Sequence, residues 1–220
     1  VLGRTVDLAS TPAVDVRGYA LRHGRDISMN EVGCYLSHLR ALDAFLASGA
    51  AFGIILEDDA GLPAGYLDLI QRLLEKQHAW DIVKLSAFHS GTPLLIEPIG
   101  QGQSLGIPLS RHMNANNVLY SRAAAEKMVR ALTPMQLPFD HALERAWLFG
   151  LRLRVVTPSP CCRSAATTWP TTGATGWTSA KPPAPTNCRA STRSTGSART
   201  KPVTSSGQAL ARTHVFWLGL

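Results

Sequence analysis

The chain has 220 residues, 45% of them hydrophobic, with a mean hydropathy of +0.02; that is one domain, or a domain with a tail, and it excludes a large multidomain assembly. No run of eighteen apolar residues crosses a bilayer, and the start VLGRTVDLASTP lacks the charged, apolar pattern of a secretory signal, so the expected compartment is the cytoplasm. The net charge of +7 is uneven: residues 1–158 hold fifteen basic and fifteen acidic residues, and residues 159–220 hold seven basic and no acidic ones, so the basic total says little about the folded part.

Before Ser28 the pattern is weak. Ser28 and Glu31 have the S-x-x-E spacing in which each side chain caps the other residue's backbone N–H. The spacing predicts a helix over about 29–48, with Val32, Tyr35, Leu36, Leu39, Leu42, Phe45 and Leu46 on one face and Gly49 beyond the last turn. Phe52 to Leu56 is a short unbroken apolar run, the pattern of a strand buried on both faces as in parallel sheets, and it ends on Glu57-Asp58-Asp59.

Pro63 suits the first turn of a second helix, whose apolar stripe of Leu67, Ile70, Leu73 and Leu74 reaches about Gln77. Residues 81–85 read as another strand. Between Ala87 and Arg111 four glycines and three prolines accumulate, which predicts a long loop with one short strand at 94–96. A strand at 118–120 follows, then a helix over 122–132 capped by Ser121, a helix near 140–149 stopped by Gly150, and a last strand at 151–155. Strand and helix alternate, so the expected class is α/β with a mainly parallel central sheet.

Residues 159–208 differ in kind, since Ser, Thr, Pro, Ala and Gly make up 36 of the 50 positions and Val203 is the sole branched aliphatic. Such a segment cannot bury enough apolar surface to fold, and His214 to Leu218 is too short to anchor it. The expected division is therefore a folded domain over 1–158 and a disordered tail over 159–220. The abrupt change of pattern also fits an out-of-frame reading of a GC-rich gene. Cys34, Cys161, Cys162 and Cys188 show no CxxC or Cys/His metal spacing, so neither a zinc site nor a disulfide framework is expected.

Three sets of residues could carry chemistry. Glu57, Asp58 and Asp59 put adjacent carboxylates at a strand end, where a hard cation such as Mn²⁺ or Mg²⁺ would offset their repulsion; the plain alternative is a solvated acidic turn. Asp140, His141 and Glu144 follow Pro138 at a helix start, with Glu144 one turn beyond Asp140; the two carboxylates could be a metal ligand and a general base, or an ordinary N-terminal cap and a solvated Glu. Ser37 and His38 sit on a helix whose apolar stripe is already complete, which suggests a polar edge facing something; the plain alternative is a pair of ordinary surface or core residues.

The stretches Gly24-Arg25-Asp26-Ile27-Ser28, Asn30-Glu31-Val32-Gly33-Cys34-Tyr35-Leu36-Ser37-His38-Leu39 and Ile54-Ile55-Leu56-Glu57-Asp58-Asp59 together resemble glycosyltransferase family 25, which includes bacterial lipooligosaccharide galactosyltransferases and collagen galactosyltransferases. The resemblance runs over about residues 18–158 and takes in Asp81 to Leu85, Leu119 to Lys127 and Pro138-Phe139-Asp140. It implies a GT-A-like nucleotide-sugar transferase fold. It also implies a metal-dependent hexosyltransferase that moves galactose from UDP-galactose to lipooligosaccharide or another glycan acceptor. Under it, Glu57, Asp58 and Asp59 hold the metal, Glu31, Ser37 and His38 shape the substrate pocket, and Asp140 or Glu144 is the base.

The family's usual Val-Ile-Asn-Leu strand is missing before Arg17, which reads as an N-terminal truncation, and Asn30 stands where the family often has Gly. The alternatives are an inactive remnant of the family and, less well supported, a nucleic-acid binder using the basic tail. The tail spreads seven charges over sixty-two residues with three Trp and one Phe, so no nucleic-acid partner is expected. Work on a lipid-linked acceptor would place the protein at the inner face of the inner membrane as a peripheral protein.

Overall fold

The computed structural model describes residues 5–86 and 91–160, and the backbone of 213–218. Seven strands form one sheet in the order β3-β4-β6-β2-β5-β1-β7. They are β1 (Phe52–Glu57), β2 (Ile82–Lys84), β3 (Pro93–Gly100), β4 (Gln103–Pro108), β5 (Asn117–Ser121), β6 (Leu153–Thr157) and β7 (Thr213–Leu218). The helices are α1 (Val16–His23), α2 (Met29–Ala47), α3 (Tyr66–Glu75), α4 (Arg122–Ala131) and α5 (Phe139–Leu143).

The expected mainly parallel sheet is corrected to a mixed one. Among the described strands β2 and β6 pair in parallel, whereas β1–β5, β1–β7, β2–β5, β3–β4 and β4–β6 are antiparallel. The reason lies in one insertion. β1 and β2, joined through α3, do run in the same direction, as strand-helix-strand alternation requires; β5 then slots between them antiparallel to both. Alternation fixes the direction of strands joined by a helix, but not which later strand comes to lie between them. The ends of β1 and β2 therefore lie on one edge of the sheet, together with the beginning of β5.

The pleat divides the core. Ile55, Ile82, Val118, Tyr120 and Leu153 belong to a cluster with α1, α2, α4 and α5, while Ile54, Leu56, Val83, Leu119 and Val156 belong to a second cluster with α3. Alternate residues of one strand thus face opposite layers. Extended by one step, the alternation carries Glu57 and Lys84 to the side of α2 and α5, where their partners lie.

The α2 expectation holds closely. The helix opens with the Ser28–Glu31 capping box, Ser28 N–H donating to Glu31 Oε2 at 3.2 Å, and Gly49 has the left-handed φ of 77°. Ser121 caps α4 by accepting from Ala124 N–H. Other boundaries move. Pro63 lies outside α3, which begins at Tyr66 after Gly65, and its buried stripe is Tyr66, Leu69, Ile70 and Leu73, with Leu67 exposed. The expected helix near 140–149 is two pieces, α5 and a 3₁₀ turn over Ala146–Phe149, ended by Gly150 at φ 67°.

The predicted loop of 87–111 is largely a hairpin, β3 and β4, turning through Gly100, Gln101 and Gly102, all with positive φ. Its glycines and prolines make the turn and fall at the irregular edge, where β3 shifts register. Residues 87–90 lie outside the described part.

At the front, a 3₁₀ turn (Leu8–Ser10), a bridge between Val14 and Met135, and α1 occupy the region where the weak pattern predicts no element; no strand runs through residues 5–17. α1 has little apolar periodicity and buries chiefly Tyr19. At the other end, the expectation of a tail disordered throughout 159–220 is corrected at Thr213–Leu218, which pairs with the whole of β1. Backbone hydrogen bonds along an open strand edge anchor a segment that counting apolar residues leaves out. Residues 161–212, with the out-of-frame question and Cys161, Cys162 and Cys188, lie outside the described residues.

Candidate active site at the sheet edge

Helix α2, the end of β1, the end of β2 and α5 meet on one side of the sheet. His38 Nε2 and Glu57 Oε1 are 3.0 Å apart, and the thiol of Cys34 donates to the same carboxylate oxygen at 3.9 Å. Cys34 and His38 are one turn apart on α2 and so share a face. Among the described residues, Cys34, His38 and Glu57 are the three metal-ligand side chains whose donor atoms all lie within 4.8 Å of one another. The His38 ring is buried and stacks on Phe139 of α5, with centroids 4.0 Å apart and planes 7° apart.

Burial pushes the Cys34 thiol up to about 12, and the charges of Glu57, Asp140 and Glu31 add to the effect. Carboxylates from α2, β1 and α5 therefore act together on one small region, three sequence-predicted residues among them. Glu31 accepts from Tyr19 Oη at 2.9 Å and pairs with Arg25. That contact explains why the otherwise featureless α1 segment is held against the site.

Glu144 is bound by Lys84 Nζ at 3.3 Å, and Lys84 also donates to the His112 carbonyl. The Lys84 side chain is fully buried, which lowers its pKa, while the neighbouring Glu144 and Asp140 charges oppose that shift. Asp140 accepts from the backbone N–H of His141 at 3.0 Å. Of the two candidate bases, Glu144 is thus committed to a cation inside the fold. Beyond the ends of β2 and before β5, Ser86, Asn114 and Asn116 form a linked polar group.

The other predicted residues are placed as follows. Asp58 is exposed and Asp59 is buried. Ser37 is buried and donates to the carbonyl of Gly33 at 2.7 Å, within its own helix. The polar edge expected for Ser37 and His38 is therefore an interior one. Sequence reasoning did not single out Cys34, Lys84, Phe139 or Tyr19 as site residues. For Cys34 the signal was present in the i, i+4 spacing to His38; for Lys84 it was a basic residue at the end of an otherwise apolar strand.

Comparisons with known proteins bear on the first part of the chain. Residues 16–92 match the model of glycosyltransferase family 25, described as an LPS biosynthesis protein. That stretch contains α1, α2, β1, α3 and β2, so the family resemblance is shown for the part of the chain that builds the Glu31–Glu57 side of the site. The chain is 33% identical over 66 residues to the human protein "Inactive glycosyltransferase 25 family member 3", an alignment covering 28% of this chain and 11% of that protein. It is 30% identical over 66 residues to the cattle protein "Probable inactive glycosyltransferase 25 family member 3", covering 28% of this chain and 11% of that protein. The chain thus spans about a tenth of the length of these curated relatives.

Proposed function

We propose that the folded part of this chain is the catalytic core of a metal-dependent hexosyltransferase, taking galactose from UDP-galactose to a hydroxyl of lipooligosaccharide or a similar glycan. The observation that supports this most is convergence: the end of β1 and the front half of α2, both inside the segment that matches the family, bring Glu57 against Cys34 and His38, and the start of α5 stacks Phe139, the neighbour of Asp140, on the His38 ring.

The donor set suits a hard cation in part. Asp58 and Asp59 follow Glu57 at the strand end, and Mg²⁺ or Mn²⁺ is commonly held by one or two carboxylates together with substrate phosphates. Glu57 is turned toward His38 and Cys34, which leaves Asp58 and Asp59 as the candidates for that ion. A cation held there would offset the charge that develops on the departing diphosphate.

The acceptor hydroxyl must lose a proton. Asp140 is the better base on geometry, because Glu144 is tied to Lys84. Glu31 then faces the substrate side, while the buried His38 and Ser37 support it from within α2. Among the described residues no helix is long and apolar enough to cross a membrane, and peripheral attachment at the inner membrane belongs to the same proposal through its lipid-linked acceptor.

A second reading, a family fold without turnover, is favoured by the names of the similar human and cattle proteins. One experiment separates the two. Calorimetry of the full chain with UDP and Mn²⁺, followed by transfer of labelled galactose from UDP-galactose to lipooligosaccharide, should show metal-dependent binding and product. Binding without product supports the second reading, and absence of binding overturns the first.

A further inference from the structure

The carboxylate of Glu57 is shared between two donors that are not needed for an all-oxygen cation site. Cys34 Sγ and His38 Nε2 both approach its Oε1, at 3.9 and 3.0 Å. Zn²⁺ binds sulfur at about 2.3 Å and imidazole nitrogen or carboxylate oxygen at about 2.0–2.2 Å in tetrahedral geometry. In that geometry a nitrogen and an oxygen ligand stand roughly 3.3–3.5 Å apart and a sulfur and an oxygen ligand roughly 3.5–3.7 Å, each within about 0.5 Å of the corresponding distance here.

We propose that Cys34, His38 and Glu57 form a binding site for a zinc-class divalent ion, with the fourth position open. Sulfur, nitrogen and oxygen donors in one set select a borderline ion over a hard one. Two ligands share one face of a long capped helix, the third ends β1, which is paired on both sides, and Phe139 stacks on the His38 ring.

The Glu57 side chain is 22% exposed, which gives an ion a path in. Such a site fastens α2 to β1 beside Asp58 and leaves one position for water or a ligand oxygen. It stands independently of sugar transfer.

The test is titration of the reduced full chain with Co²⁺ and then Zn²⁺. Co²⁺ should give a sulfur-to-metal charge-transfer band and the visible bands of a four-coordinate ion, and Zn²⁺ should displace it. The chain has three further cysteines, so a variant carrying Cys161→Ser, Cys162→Ser and Cys188→Ser should keep the bands. Cys34→Ser should remove the charge-transfer band and weaken Zn²⁺ binding by more than about a hundredfold, since loss of an outer-shell partner alone costs about 10–100-fold. Absence of the band in the unaltered chain, its loss from the triple variant, or its persistence in Cys34→Ser would overturn the proposal. Asp58→Asn should leave the cobalt spectrum intact while weakening Mn²⁺-dependent UDP binding, so the two cation assignments fail separately.

Discussion

The imidazole of His38 lies flat on the ring of Phe139, 4.0 Å between centroids, and Phe139 also meets Tyr35 edge-on at 5.6 Å. One aromatic side chain at the start of α5 thus sets both the plane of a site histidine and the distance of Asp140 from α2. Phe139 is 3% exposed. Phe139→Ala should cost about 3–5 kcal/mol, the usual range for emptying a buried aromatic position. Urea unfolding followed by far-ultraviolet circular dichroism would show the lower midpoint, and an unchanged midpoint would mean that α5 docks by other contacts.

Lys84 and Glu144 form an ion pair with almost no solvent on the lysine side. Removing one partner of such a pair leaves a charge without compensation, which is worse than removing both. Lys84→Met should therefore destabilise the fold by about 3 kcal/mol, and the double variant Lys84→Met with Glu144→Leu should recover most of that loss. A double variant no more stable than the single one would show that the lysine's bond to the His112 carbonyl matters more than the pair.

Gly53 is required by close approach. A Cβ there would come within 2.6–2.8 Å of the Phe45 ring, which is fully buried between α2 and β1. Gly53→Ala should cost about 1–3 kcal/mol through overpacking. Adding Phe45→Leu should return part of it, and thermal melts of Gly53→Ala, Phe45→Leu and the double variant would decide.

Asp81 joins the start of β2 to the start of β6 through Arg152, whose guanidinium donates to both carboxylate oxygens at 2.9 and 2.8 Å. These bonds hold the Asp81 carboxyl below its ordinary value of 3.8. The folded protein therefore binds this proton less readily than the unfolded chain. The stabilisation is fully present above pH 3.8 and is lost as pH falls from there through the folded value. Arg152 is nearly half exposed, so Asp81→Asn should cost only about 1 kcal/mol near neutral pH. Melting curves at stepped pH should show the gap between the two proteins closing below pH 3.8.

Local order was legible from the residues alone. The Ser28–Glu31 box, the long stripe of α2, the apolar run of β1, the Ser121 cap and the resemblance to glycosyltransferase family 25 are all short-range patterns, set by neighbours within one or two turns or by alternation along one strand. The composition of residues 159–208 was equally plain. Tertiary structure alone decided which strand lies between β1 and β2, because β5 lies more than sixty residues beyond its partners in β1 and more than thirty beyond those in β2, and nothing local encodes either pairing. It also decided the company of Glu57. In sequence that carboxylate belongs with Asp58 and Asp59; in the fold the two-residue pleat carries it to the α2 side, to Cys34 and His38. Adjacent residues in a strand face opposite ways, so a cluster in sequence is divided by the sheet, and residues some twenty positions apart become its nearest partners.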